Sequence, residues 1–280
     1  MSSFEADWPA LREALATGIR AAATPERTDR LFPGDIAQFE VDALSLAHGA
    51  AGVLYALHST GAGVDQAHLD WLVAAERRRP PRPGLYTGSH GVAYTLDLLG
   101  RTAEARELLD QLLPLPLEAQ GNDLAAGLPG TVLTLLHFAR TAPELLGHAL
   151  AAAELLAERQ DKLPAPAEAP IGLLLGGAGQ ALALLRLHER TGHTELLDRA
   201  EQTLEAELAR CVLLPDGPRV LPYLQQDGTG IGPVLTELLR LRLGPPGRPG
   251  AAARRRGRGT RQPCRTPVPL PRVRPAGQCG

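Results

Sequence analysis

The chain of 280 residues has a net charge of −2, is 44% hydrophobic but only 4% aromatic, and contains no apolar run long enough to span a bilayer. Its opening, MSSFEADWPALREAL, lacks the basic start and unbroken apolar stretch of a signal peptide, so a cytoplasmic location is expected. Three cysteines, Cys211, Cys264 and Cys279, show no metal-type spacing and exclude a disulfide framework; Cys211, at the end of an amphipathic helix, is expected to be a buried small apolar residue.

In chain order, residues 4–22 place Trp8, Leu11, Leu15 and Ile19 at helical spacing, giving a helix with one wet face. ATPERTDRLFPGDI breaks that pattern. A figure then begins that recurs down the chain: a pair of glycines three residues apart, followed by an apolar run. The pairs are Gly49/Gly52, Gly88/Gly91, Gly127/Gly130 and Gly176/Gly179, and a fifth copy has Asp227 in the first place and Gly230 in the second. Their first positions are separated by 39, 39, 49 and 51 residues, a tandem repeat with insertions. Such glycines serve either a backbone turn with positive φ or an approach between segments too close for a Cβ.

Each glycine pair is expected to open an inner helix that is apolar almost all round, and each inner helix is followed by a two-faced partner. The partners are expected over residues 64–79, 102–113, 143–160 and 195–213, with Pro143 in a first helical turn. Repeated pairs of this kind either stack in a line as a solenoid or close around an axis as an α/α toroid. All the glycine loops fall at the start of the inner helices, so any site is expected at that end. The fold class is therefore all-α, over residues 1–242.

From residue 243 the pattern stops. Residues 243–280, which begin LGPPGRPGAAARRRGRG, hold eight Pro, seven Gly and nine Arg and no acidic residue, so the net −2 divides into +9 on this segment and −11 on the remainder. The composition predicts a disordered basic tail. No aromatic residue interleaves the arginines for base stacking, which argues against nucleic acid as a partner.

SLAHGAAGVLYAL, PGLYTGSHGVAYTLDLLGR, LAAGLPGTVLTLLHFA, LLLGGAGQALALLRLHERTGH and LPYLQQDGTGIG, in this order, resemble the lanthionine synthetase C-like (LanC-like) cyclase domain. The similarity is strongest to the cyclase end of class III lanthipeptide synthetases, which join a lyase, a kinase and a cyclase, and it covers about residues 25 to 242. The resemblance implies an α/α toroid of seven hairpins, of which about five are visible here, so an open arc is expected. It implies addition of a peptide cysteine to a dehydroamino acid, giving a thioether, with a dehydrated precursor peptide as partner and separate kinase and lyase components. No kinase signature is visible in the chain. In the zinc-dependent branch a cysteine ligand stands where this sequence has Gln225, and the Cys-His pair of the sixth loop has no counterpart. No zinc and no other cofactor is therefore expected.

Acid/base work then falls to the histidines of the glycine loops, His48 and His90, since imidazole titrates near neutrality. The competing reading of each is a loop histidine that holds helix backbone groups. Asp227 and Tyr86 are the expected substrate-facing residues, Asp227 alternatively being a helix cap. His58, His68, His137, His148, His188 and His193 fall on helices or their ends and are read as structural or solvated. Two other functions stay open: a non-catalytic helical module that binds a peptide or a partner synthetase, and, ranked last for want of two facing carboxylates, carbohydrate processing. With fewer hairpins than its relatives, the chain is expected to leave apolar faces uncovered and to self-associate.

Overall fold

The computed structural model describes residues 7–34, 36–40, 42–162, 169–211 and 228–244. Contacts divide the chain into a unit of Met1–Leu239 and a second of Arg240–Gly280. Of the second unit, the described residues are the last turn of a helix and Gly244, whose N–H bonds the Arg240 carbonyl at 3.0 Å. The basic tail lies, from residue 245 on, outside the described residues, as do Asp227 and Gln225.

Among the described residues there are eleven α-helices and no strand: α1 Trp8–Ala21, α2 Ala37–Glu40, α3 Ala50–Ser59, α4 Gln66–Glu76, α5 Ser89–Leu98, α6 Thr102–Leu112, α7 Leu128–Phe138, α8 Leu145–Lys162, α9 Gly177–Thr191, α10 Thr194–Ala209 and α11 Ile231–Leu243. α3, α5, α7 and α9 are the inner helices, each packed on the next in chain order, and α4, α6, α8 and α10 each pack on the inner helix that precedes them. The core between the two rows is built almost wholly from Leu and Ala. Leu57, Leu96, Leu135 and Leu184, each five residues beyond the second glycine of its pair, are all buried. Burial of each such side chain favours folding by about 2 kcal/mol.

The glycine pairs lie within one turn of helix. The first glycine of each of the four described pairs is the helix N-cap, with φ between −143° and −101°, and the second sits in the first turn. None of these eight has a positive φ, so close approach is the reason for glycine here. A Cβ on Gly91 would stand 2.0 Å from the Leu85 carbonyl oxygen and 3.0 Å from the Leu46 Cβ. The contact recurs, with Leu85 over Gly130 and Leu124 over Gly179. Each loop leucine thus caps the glycine of the following repeat. Backbone hydrogen bonds join the same loops: Ala47 N–H to the Tyr86 carbonyl (2.8 Å), Tyr86 N–H to Ala125 (2.9 Å) and Leu124 N–H to Leu174 (2.9 Å). Four consecutive glycine loops therefore form one hydrogen-bonded row at the N-terminal ends of the inner helices.

Charged residues of the outer helices pin these loops. The Glu76 carboxylate of α4, 4% exposed, accepts from the Ser89 hydroxyl and from Arg79 (2.5 Å), and Arg79 also donates to Asp42, 1% exposed (2.5 Å). Ser89 Oγ in turn accepts from the Arg82 N–H at 3.0 Å. In α10, buried Glu207 accepts from the Gly172 N–H (2.6 Å), and in α8 Arg159 donates to the Gln120 carbonyl (2.6 Å) and to Asn122 Oδ1 (2.9 Å).

Several expectations are corrected. The stripe of α1 is not buried: Trp8 is 70% exposed and Leu11, Leu15 and Ile19 are exposed with it, because only Ala16 of this helix meets the core. Cys211 is exposed, since it lies beyond the last turn of α10, where its backbone has left the packed face. Pro143 stands two residues before α8. The inner helices are not apolar all round, because one stripe of each looks into a cavity. Among the described residues no helix is long and apolar enough to cross a membrane.

Candidate functional site: the cavity on the inner helices

A cavity of ≈ 750 Å³ runs along the exposed side of the inner helices. Leu85 and Tyr86 from the second glycine loop line one end of it. Tyr55 of α3, Tyr94 of α5, Leu133 and His137 of α7, and Arg186 and Arg190 of α9 continue it toward the C-terminal ends of those helices. The expectation of a site at the glycine loops therefore covers only part of the cavity, which extends along the inner helices into their last turns.

The repeat explains which side chains face it. Counted from the second glycine, position +3 is Tyr55, Tyr94 and Leu133 in successive helices, and position +7 is His137 in α7 and Arg186 in α9. Positions +3 and +7, four residues apart, share a helix face, while position +5 turns to the Leu core. Aligning the repeats on that glycine exposes a polar and aromatic stripe that reading each helix alone as apolar conceals.

The cavity wall is a set of protonated phenols beside a basic rim. Burial raises the Tyr86 phenol, with Tyr55 adding to the effect, and burial together with Tyr55 and Tyr86 raises that of Tyr94, so both stay protonated at neutral pH and can donate a hydrogen bond. The Tyr55 and Tyr94 rings lie 6.3 Å apart. Arg186 is engaged by Glu189 at 2.6 Å and Glu237 at 3.4 Å. On α7, His137 Nε2 meets Asp97 Oδ2 of α5 at 2.7 Å, and the Tyr94 ring abuts the imidazole edge-on with centroids 4.8 Å apart.

The residues singled out in the sequence are dispersed. Tyr86 lines the cavity. His48 is exposed and lines a separate apolar groove of ≈ 690 Å³ against the α1 stripe, its N–H donating to Ser45 Oγ at 3.2 Å. His90 is buried in the first turn of α5, where its Nδ1 accepts from the Gly84 N–H at 3.1 Å and burial holds its imidazole down to about 4. His90 thus holds the backbone of its own glycine loop, rather than the helix groups that the competing reading named. Of the repeat glycines, Gly230 is buried just before α11. The Asp97–His137 pair is what the sequence reading missed; its members are 40 residues apart and stand at different places in their repeats, +6 and +7 from the second glycine, so no match of register signalled it. Among the described residues no group of three His, Cys, Asp or Glu side chains is placed to hold a metal ion.

No protein-family model matches the chain. Over 255 aligned residues the chain is 45% identical to the probable SapB synthase of Streptomyces coelicolor, an alignment that takes in 83% of this chain; it spans only about a quarter, 27%, of the length of that curated relative.

Proposed function

We propose that this chain is a LanC-like cyclase module of lanthipeptide biosynthesis, of the class III type, and that its inner-face cavity receives a precursor peptide in which Ser or Thr has already been dehydrated. Within the cavity a peptide cysteine adds to the dehydroamino acid, forming a thioether. The observation that carries this reading is the cavity: a peptide-sized space with protonated phenols and an imidazole, set on helices whose glycine loops carry the LanC-like sequence blocks. The 45% identity to a probable synthase over most of the chain supports it.

Thiol addition needs a base to make the thiolate, a donor to steady the enolate that develops on the carbonyl oxygen, and an acid to return a proton to carbon. The Tyr86 and Tyr94 phenols suit the second task. Gln225 offers no thiolate to a metal, so proton transfer belongs to protein side chains and chelators leave the rate unchanged. In the same reading the helix pairs curve as an α/α toroid with the cavity near its axis.

The test is loss of free thiol, followed by mass spectrometry after alkylation, when a dehydrated cysteine-containing peptide is mixed with the full chain. Acceleration over the peptide alone is expected. Binding of the peptide with thiol loss no faster than the uncatalysed rate would leave a peptide-binding module and overturn the cyclase reading.

A further inference from the structure

One residue of the cavity wall, His137, is half of an acid/base pair apart from the two loop histidines. Asp97 and His137 project toward each other from the last turns of neighbouring inner helices, 2.7 Å apart, with side chains 24% and 13% exposed. Two rings set the plane of the imidazole, Tyr94 at 4.8 Å and Phe138 at 5.1 Å, both edge-on. An ionised carboxylate only accepts, so the ring nitrogen facing Asp97 carries the proton, and the lone pair of the neutral imidazole is on Nδ1. Nδ1 has no hydrogen-bond partner among the described residues. A base whose far nitrogen is fixed by a carboxylate is the arrangement that activates thiols and hydroxyls in general.

The charged and titratable groups about the pair are Tyr94 on its own side, Tyr55 from α3, Arg140 just past α7, and Arg186, Glu189 and Arg190 from α9. Glu189 is engaged with Arg186, which leaves Asp97 as the carboxylate in contact with the imidazole.

The geometry points to His137 as the general base and acid of the thiol addition proposed above, with Asp97 as its positioning residue. The inference rests on that cyclase reading. Nδ1 takes the proton from the peptide thiol as the sulfur attacks Cβ of the dehydro residue. The carbon–sulfur bond forms while the Cα=Cβ π pair moves to the enolate, and the imidazolium then returns its proton to Cα. One S–H bond and one π bond are lost, one C–S and one C–H bond are made, and no oxidant or reductant is needed.

The test uses the full chain and the thiol-loss assay over pH 5–9, with His137→Gln, Asp97→Asn, His48→Ala and His90→Ala, and with His148→Gln, an exposed histidine of α8, as the control expected to match wild type. His137→Gln is expected to slow thiol loss by about 10²-fold or more. Asp97→Asn should lower kcat by about 10-fold or more with KM little changed, and Asp97→Glu, which keeps the carboxylate, should recover part of the loss. Nitrogen-15 NMR of the histidine rings at one fixed pH supplies a readout independent of turnover and of whether His137→Gln folds: His137 should hold its proton on Nε2 in wild type, and Asp97→Asn, whose amide can donate as well as accept, should weaken that preference. Wild-type activity retained in His137→Gln, or a His137 tautomer preference in Asp97→Asn equal to that of wild type, overturns this assignment while leaving the cyclase reading in place. A wild-type chain that does not accelerate thiol loss overturns both.

Discussion

Replacing Gly91 by alanine sets two effects of opposite sign against each other. Gly91 is the third residue of α5, and in an open helix the change would stabilise by up to about 1 kcal/mol. Here the new Cβ would lie 2.0 Å from the Leu85 carbonyl oxygen, roughly 1.4 Å inside ordinary contact. That oxygen belongs to the backbone of the second glycine loop and cannot rotate away. Moving it displaces Tyr86, whose N–H and carbonyl make the 2.9 and 2.8 Å bonds to the loops on either side. Overpacking of this kind costs about 1–3 kcal/mol, and two weakened inter-loop hydrogen bonds add about 1 kcal/mol each. Net of the helix gain, Gly91→Ala should destabilise by about 3 kcal/mol, a fall in Tm of roughly 6–12 °C for a unit of this size. Gly18→Ala is the internal control, since Gly18 is also helical and has no atom within 4 Å of its Cβ position; it should stabilise by about 0.5–1 kcal/mol. Urea titrations followed by circular dichroism at 222 nm measure both. A Gly91→Ala midpoint at or above wild type, with Gly18→Ala behaving as expected, would refute close approach as the reason for the repeat glycines.

The buried imidazole of His90, held down to about 4 against about 6.5 when unfolded, makes the unfolded chain the better proton acceptor between those values. Its contribution to stability is full above pH 6.5 and declines as pH falls to 4, by about 3 kcal/mol. His90→Asn, which keeps an acceptor for the Gly84 N–H, should flatten that part of the stability–pH curve in urea titrations; superimposable curves would count against it. Glu76→Ala leaves Arg79 half-paired and the Ser89 hydroxyl without its acceptor, so a loss of about 3 kcal/mol is expected by the same titration, and a change below about 1 kcal/mol would mean the network is not structural. Glu207→Ala frees the Gly172 N–H and should raise amide hydrogen exchange around residues 171–177 far more than around the second loop; equal protection in both would show that α10 does not hold this loop. Trp71 is buried with its indole N–H on the Arg27 carbonyl at 2.9 Å, and Trp8 is open. Trp8→Phe should therefore remove most of the acrylamide-quenchable fluorescence; unchanged quenching would place the α1 stripe against something else.

Much of the architecture was legible because it is written in local spacing. Glycines three residues apart, an apolar run after each pair, and a two-faced helix after each apolar one locate the helix pairs to within a few residues, as α6 at Thr102–Leu112 against an expected 102–113 shows. Where the reading went astray, the missing quantity was a neighbour. The α1 stripe has helical spacing, but what it packs on is not a property of α1. His90 looked available for proton transfer because its loop position was visible, while the Gly84 N–H it accepts from and the burial around it were not.

The sequence by itself determined the repeat, the all-helical class and the places of the repeated glycines, because hydrophobic period and glycine spacing are legible over a few residues. Tertiary structure decided that the second glycines answer to a carbonyl six residues back and to a leucine of the preceding loop. It also decided which stripe of each inner helix is left open, and that Asp97 should meet His137. Those outcomes depend on how one repeat is rotated against the next. That rotation is fixed by side-chain packing and inter-loop hydrogen bonds between segments about 40 residues apart, which no local pattern encodes.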